Sequence, residues 1–247
     1  IPPTWTLQGS PYNLFGDIVI GAADEIDIEP NVEVNLFGND PLLVNGVLNA
    51  NQARFKPQNQ NGRWGGLKFQ GSNQREPSEL IGCEIVDALL PIDIEDASPL
   101  ISGVTITVSD TTQYEDSRGI RIQGDSSPSL IDVELINYRQ GVSIQNDGNP
   151  DRDTPTLTNI RVRNSSQTSR DDLDPGTGIF ISGAAVLNTV LVDNFGSAIV
   201  IDGTENNTTP TLTNIRVRNS SQTSRGDRYG IQIMGGAVPS LEDIDIE

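Results

Sequence analysis

The stretch TPTLTNIRVRNSSQTSR at residues 154–170 returns letter for letter at 209–225, an offset of 209 − 154 = 55 residues. Two copies are either a duplicated site or two turns of one repeating structure. Eight residues from Pro155, P-T-L-T-N-I-R-V, decide between them. They set a frame: Pro or a small residue, any residue, Leu or Ile, any residue, a turn-former such as Gly, Asn or Asp, apolar, any residue, apolar. The frame recurs from Ser78, Pro99, Pro128, Ala185, Pro210 and Pro239. Its third position reads Leu80, Ile101, Leu130, Leu157, Leu187, Leu212, Leu241. The sixth reads Cys83, Val104, Val133, Ile160, Val190, Ile215, Ile244, and the eighth reads Ile85, Ile106, Leu135, Val162, Val192, Val217, Ile246. Three columns without a polar exception are the mark of internal repetition.

A second short strand lies between frames: G-I-R-I at 119–122, G-V-S-I at 141–144, G-I-F-I at 178–181, A-I-V-I at 198–201 and G-I-Q-I at 230–233, with a weaker I-D-I at 92–94. Alternating apolar residues predict strands with one buried face. Successive frames start 21 to 30 residues apart, one coil of a parallel β-solenoid. A hairpin protein does not repeat one strand type in one direction, and a leucine-rich repeat has a tighter, more constant period. The gap to the next strand alternates. It is 7 residues after Ile85, Leu135 and Val192, and 14 to 17 after Ile106, Val162 and Val217. The true repeat is therefore two coils, and 55 residues is one double coil.

The N-terminal part carries different motifs. Y12-N-L-F-G-D-I-V-I20 is followed by E25-I-D-I-E-P-N-V-E-V34, L42-L-V-N-G-V-L-N-A50 and R63-W-G-G-L-K-F69. In order and spacing they resemble the opening of the right-handed parallel β-helix repeat domains of bacterial and archaeal cell-surface proteins, with I-E-P-N in place of the usual I-E-P-G. That resemblance implies the pectate-lyase-like superfold and an extracellular, cell-surface location. It says little about activity, because one superfold hosts lyases, hydrolases, adhesins and inert stalks. The expected architecture is all-β: one right-handed parallel β-helix over 1–247, about ten coils, with an N-terminal cap and first coils at 1–77 and seven regular coils at 78–247. No polar cap follows the final I-D-I-E strand. The expectation is an open C-terminal end, with either more chain beyond it or further copies stacked head to tail.

Composition narrows the function. A net charge of −18 argues against a nucleic-acid partner, which needs basic surface. No stretch approaches the 18 apolar residues of a membrane helix. Ile1 opens no charged-then-apolar leader, so any targeting segment is expected to have been removed or to lie upstream. The single cysteine excludes an intrachain disulfide, and the absence of histidine removes the commonest general base. The G-H-G element of polygalacturonase-like enzymes and the R-x-P-x-x-R element of pectate lyases are both missing. The expected function is a non-catalytic extracellular structural or adhesive module, a surface fibre subunit or glycan-binding stalk. The alternatives are a lyase or hydrolase acting on acidic glycans, and a calcium-stabilised assembly subunit.

Two groups of residues are candidate sites. Arg161 and Arg163 point outward from one strand, and Arg216 and Arg218 do so two coils later, roughly 10 Å away, a spacing suited to carboxylates along an extracellular uronic acid polymer. The same arginines have a structural reading. The outward columns run Glu134, Arg161, Leu191, Arg216, Asp245 and Ile136, Arg163, Asp193, Arg218, Glu247, and opposite charges on neighbouring strands stabilise a sheet. Asp147, Asn149, Asp151 and Asp153 alternate through one loop as calcium ligands do, and Asp171, Asp172 and Asp174 crowd a second. Ca2+ is the one cofactor these patterns suggest, and none is required for the fold. Asp, Asn and Gly also simply make turns. Trp64 is expected at a coil corner and Cys83 inward as a small hydrophobe. Tyr138 and Phe180 are expected outward, as parts of a glycan platform. Asn164, Asn206, Asn207 and Asn219 head glycosylation sequons.

Overall fold

The frame's apolar positions are three, six and eight. In a flat strand, side chains alternate faces, so positions three and six would point opposite ways. Both can face one core only if the chain turns between them. The computed structural model shows how. The fifth position adopts a left-handed backbone in every frame: φ is 63° at Gly82, 66° at Gly103, 55° at Asp132, 54° at Asn159, 58° at Thr189, 54° at Asn214 and 53° at Asp243. Gly, Asn and Asp tolerate this conformation best, which explains the frame's turn-former. Thr189 is β-branched and is the exception.

The structure describes residues 3–59, 62–71, 76–109, 117–146, 154–164, 176–204, 208–219 and 229–247. Two strands of the frame and one of the G-I-x-I type make a rung, and rungs stack in parallel. The fourth rung is typical: Glu79–Ile81, Glu84–Val86 and Ile92–Glu95. Leu80 lies between Ala50 and Ile101, Ile85 between Phe55 and Ile106, and Ile92 between Leu67 and Ile120. From the seventh rung onward the two frame strands run through the corner as one: Thr156–Arg163, Val186–Asp193, Thr211–Arg218 and Ser240–Ile246.

The result is a parallel β-solenoid with a 16-stranded and a 9-stranded sheet among the described residues. Nine rungs carry a strand in the smaller sheet, and the tenth consists of Ser240–Ile246 alone. Nine strands are separated by eight steps, so the solenoid makes about eight turns, slightly fewer than the ten coils expected. The tenth rung contributes less than a full circuit. The N-terminal segment holds ordinary rungs, since Thr4–Trp5, Tyr12–Leu14 and Val19–Ile20 pair in register with the rung above.

The core is the stack of inward columns. Leu80, Ile101, Leu130, Leu157, Leu187 and Leu212 are all fully buried, whereas Leu241, in the same column on the last rung, is 41% exposed. Burial of about 1.5–3 kcal/mol per large aliphatic is therefore supplied by the neighbouring rungs. The glycines of the G-I-x-I motif have a packing reason. An added Cβ at Gly119 or Gly141 would meet the carbonyl oxygen of the next rung's glycine at 2.4 Å.

Candidate functional site

The left-handed corner bends each frame and leaves a groove on the outside. Four rungs line it with the same three positions, residues 159–161, 189–191, 214–216 and 243–245, enclosing about 680 Å³. The rungs are adjacent in register, so the groove runs along the stacking axis for three steps, about 14 Å. Its volume falls within the range of small-ligand sites.

Two of the four candidate arginines, Arg161 and Arg216, line this groove with Leu191 between them. Arg163 and Arg218 do not line it. The columns read from the sequence are those observed: Arg161 pairs with Glu134 and Leu191, Arg163 with Ile136 and Asp193, and Arg216 with Leu191 and Asp245. The ion pairs follow the columns in part. Arg216 Nε lies 3.1 Å from Asp245 and Arg218 Nε 3.4 Å from Glu247, each on the next rung. Arg163, however, reaches diagonally and donates to Glu134 Oε1 at 2.7 Å. This takes the acid directly beside Arg161. The Arg161 side chain is exposed and makes no hydrogen bond or ion pair with a described residue.

Along one side of the groove runs a column of polar corner residues, beside the buried Ile160, Val190 and Ile215. Asn159 donates to the carboxylate of Asp132 on the rung below. Asn214 donates to Asn188 Oδ1 at 3.3 Å, and Thr189 to the same oxygen at 3.2 Å. Asp243 closes the far end. The sequence displayed this column as the frame's fifth position. The groove itself depends on the bend there.

A second polar cluster covers the outer face of the smaller sheet. Arg121 grips Asp93 with Nε at 2.8 Å and a second nitrogen at 2.6 Å. The Asp93 side chain is 6% exposed, and its hydrogen bonds hold the Arg121 guanidinium above its ordinary pKa. Lys68 lies 2.7 Å from Glu95, and that hydrogen bond holds the Glu95 carboxyl below the usual range. Beside them Arg118, Gln140, Ser143 and Gln145 enclose a small cavity of about 170 Å³.

The other candidates separate clearly. Asp147, Asn149, Asp151, Asp153, Asp171, Asp172 and Asp174, the proposed calcium ligands, all lie outside the described residues, as do Asn206 and Asn207. Among the described residues no three acidic, Cys or His side chains gather as a metal site. Asn164 is buried and trades amide–carbonyl hydrogen bonds with Asn194. Asn219 is exposed. Trp64 packs in the core, its indole N–H donating to the Val86 carbonyl at 2.9 Å. Cys83 is buried, and desolvation pushes its thiol up to about 11. Phe180 is half-buried.

Tyr138 corrects the outward reading. It is 1% exposed, and burial drives its hydroxyl far above the ordinary value. It follows the left-handed corner residue Asn137 (φ 66°), where a short link joins Glu134–Ile136 to Gln140–Gln145. The tight turn sends the ring inward, where a strand parity count would have sent it out.

No family model, curated protein or solved structure matches this chain. No helix among the described residues is long and apolar enough to cross a membrane.

Proposed function

We propose that the chain is a non-catalytic structural module of an extracellular surface protein, a rigid spacer able to carry a glycan. The observation that carries this reading is how outward charge is used. Arg54–Glu84, Lys56–Glu33, Lys68–Glu95, Arg121–Asp93, Arg163–Glu134, Arg216–Asp245 and Arg218–Glu247 each join neighbouring rungs. In these pairs charge runs along the axis, where it stiffens the stack, and does not converge on one reaction centre. Exposed pairs contribute less than about 1 kcal/mol each, so their value lies in number and register. The surface location rests on the N-terminal motifs and their resemblance to cell-surface β-helix domains.

The deciding experiment incubates the protein with pectate and alginate, with and without calcium, and follows polymer length. Unchanged polymers support the module. Shortened polymers overturn it in favour of a lyase or hydrolase. Two further measurements address assembly. Sedimentation that shifts with concentration supports end-to-end stacking of copies, and a single monomeric species at all concentrations removes it. A melting temperature unchanged by EDTA removes calcium as a stabiliser.

A further inference from the structure

We infer that the groove along residues 159–161, 189–191, 214–216 and 243–245 binds a linear, carboxylate-bearing polysaccharide lying parallel to the solenoid axis, with its carboxylate on Arg161. This extends the module reading and rests on it. The ligand class follows from the groove's chemistry. Arg161 offers a planar fork of donors with no partner among the described residues, which suits a carboxylate in two-pronged contact. Asn159, Thr189 and Asn214 repeat amide and hydroxyl groups at one strand spacing, about 4.8 Å, along one side. Such a row matches a chain of hydroxyl-bearing rings. Leu191, one rung beyond Arg161, gives an apolar patch for the C–H face of a ring.

The groove also has a polarity. Arg216 is already neutralised by Asp245 at 3.1 Å, and Asp243 adds an unpaired carboxylate at the same end. An acidic group is repelled there and drawn to the Arg161 end. The net charge of −18 opposes long-range attraction of any polyanion. Binding therefore depends on contacts well inside the Debye length, about 10 Å at 0.1 M salt.

The test is calorimetric titration with oligogalacturonate and oligoguluronate of graded length, beside their methyl-esterified forms, with product length measured on the same samples. Acidic oligomers are expected to bind and the esters to bind much more weakly. Arg161→Gln is expected to weaken binding at least about tenfold, the loss of a charge-assisted hydrogen bond. Asp243→Asn is expected to tighten it. Arg54→Gln is the control: it stands in the same outward column, is paired with Glu84 at 3.0 Å and lies outside the groove. Absence of binding by every acidic oligomer, equal binding of the esters, or an unchanged affinity in Arg161→Gln overturns the inference. Cleavage of the oligomers instead overturns the non-catalytic reading while leaving the groove assignment to stand on the affinities.

Discussion

Arg54 and Arg161 stand in one outward column, four rungs apart through Glu84, Thr105 and Glu134, yet their surroundings differ. Arg54 lies between Glu33 and Glu84 and is held by Glu84. Arg161 lies between Glu134 and Leu191, and Glu134 is taken by Arg163. The corners beside them differ in the same direction. Arg54 follows the left-handed Gln52 and the next two rungs turn on Gly82 and Gly103, which bring no side chain, whereas Arg161 follows Asn159 and the rungs beyond it turn on Thr189, Asn214 and Asp243. One backbone plan thus supports two surfaces. The early rungs hold Arg54 on Glu84, and the late rungs, though they too are cross-linked, leave the Arg161 side chain along a groove without a partner among the described residues.

That contrast concerns the outside alone, and the largest expected effects check this premise. Leu80 and Leu157 share one inward column and are both fully buried. Leu80→Ala and Leu157→Ala are each expected to cost about 3 kcal/mol, measured as urea unfolding with hydrogen exchange to localise the loss. A clear inequality between them would mean that the two regions also differ in packing. Next in size is Asp93→Asn, which removes a nearly buried partner from Arg121. The guanidinium is itself partly exposed, so the loss is about 1–2 kcal/mol, less than for a fully buried pair. An effect near zero would place the early cluster in the same loose class as the late pairs.

The early rungs should also show the sharper pH dependence. Glu95 has a lowered folded pKa, first through its hydrogen bond from Lys68. Its stabilisation is present above the ordinary carboxylate value of 4.5 and is lost as pH falls through the lowered one. Lys68→Met should shrink that acid limb, leaving the smaller part owed to Arg121 and Gln123. Cys83 has a raised pKa because burial disfavours the thiolate. Its contribution is intact below the ordinary 9.0 and is lost as pH rises through about 11, an alkaline limb absent in Cys83→Ala. Melting temperatures across pH check both limbs. A limb of unchanged size in the variant belongs to another group.

Most of the fold was legible because a solenoid writes each rung separately. Leu80 to Leu241 form one column in the structure as in the sequence, and Arg161, Leu191 and Arg216 stand in the order read from the frame. Cys83 and Trp64 lie inside for the same reason: their positions repeat an inward column or a corner. What escaped depends on angles. A frame lists neighbours along a column but not the bend at position five, so the groove was invisible. The tight corner that turns Tyr138 inward is likewise local backbone geometry, not periodicity. Diagonal reach is the third case: alternation of charge put Arg161 in a ladder with Glu134, and side-chain length gave that acid to Arg163.

The smallest expected effects are the most informative about function. Arg54→Gln should cost about 0.5 kcal/mol, as an exposed pair does. Arg161→Gln should change stability by less than about 0.5 kcal/mol in either direction, since no partner among the described residues is lost. Two double-mutant cycles separate these small numbers from noise. Coupling of Arg163 to Glu134 should be measurable, and coupling of Arg161 to Glu134 should vanish. If Arg161 instead couples to Glu134 as strongly as Arg163 does, the two arginines share the acid. Arg161 is then a ladder residue like Arg54, and the groove loses its free cation. If the coupling is absent, the late rungs keep a guanidinium that the fold does not use, at the one end of the groove where an anion is not repelled.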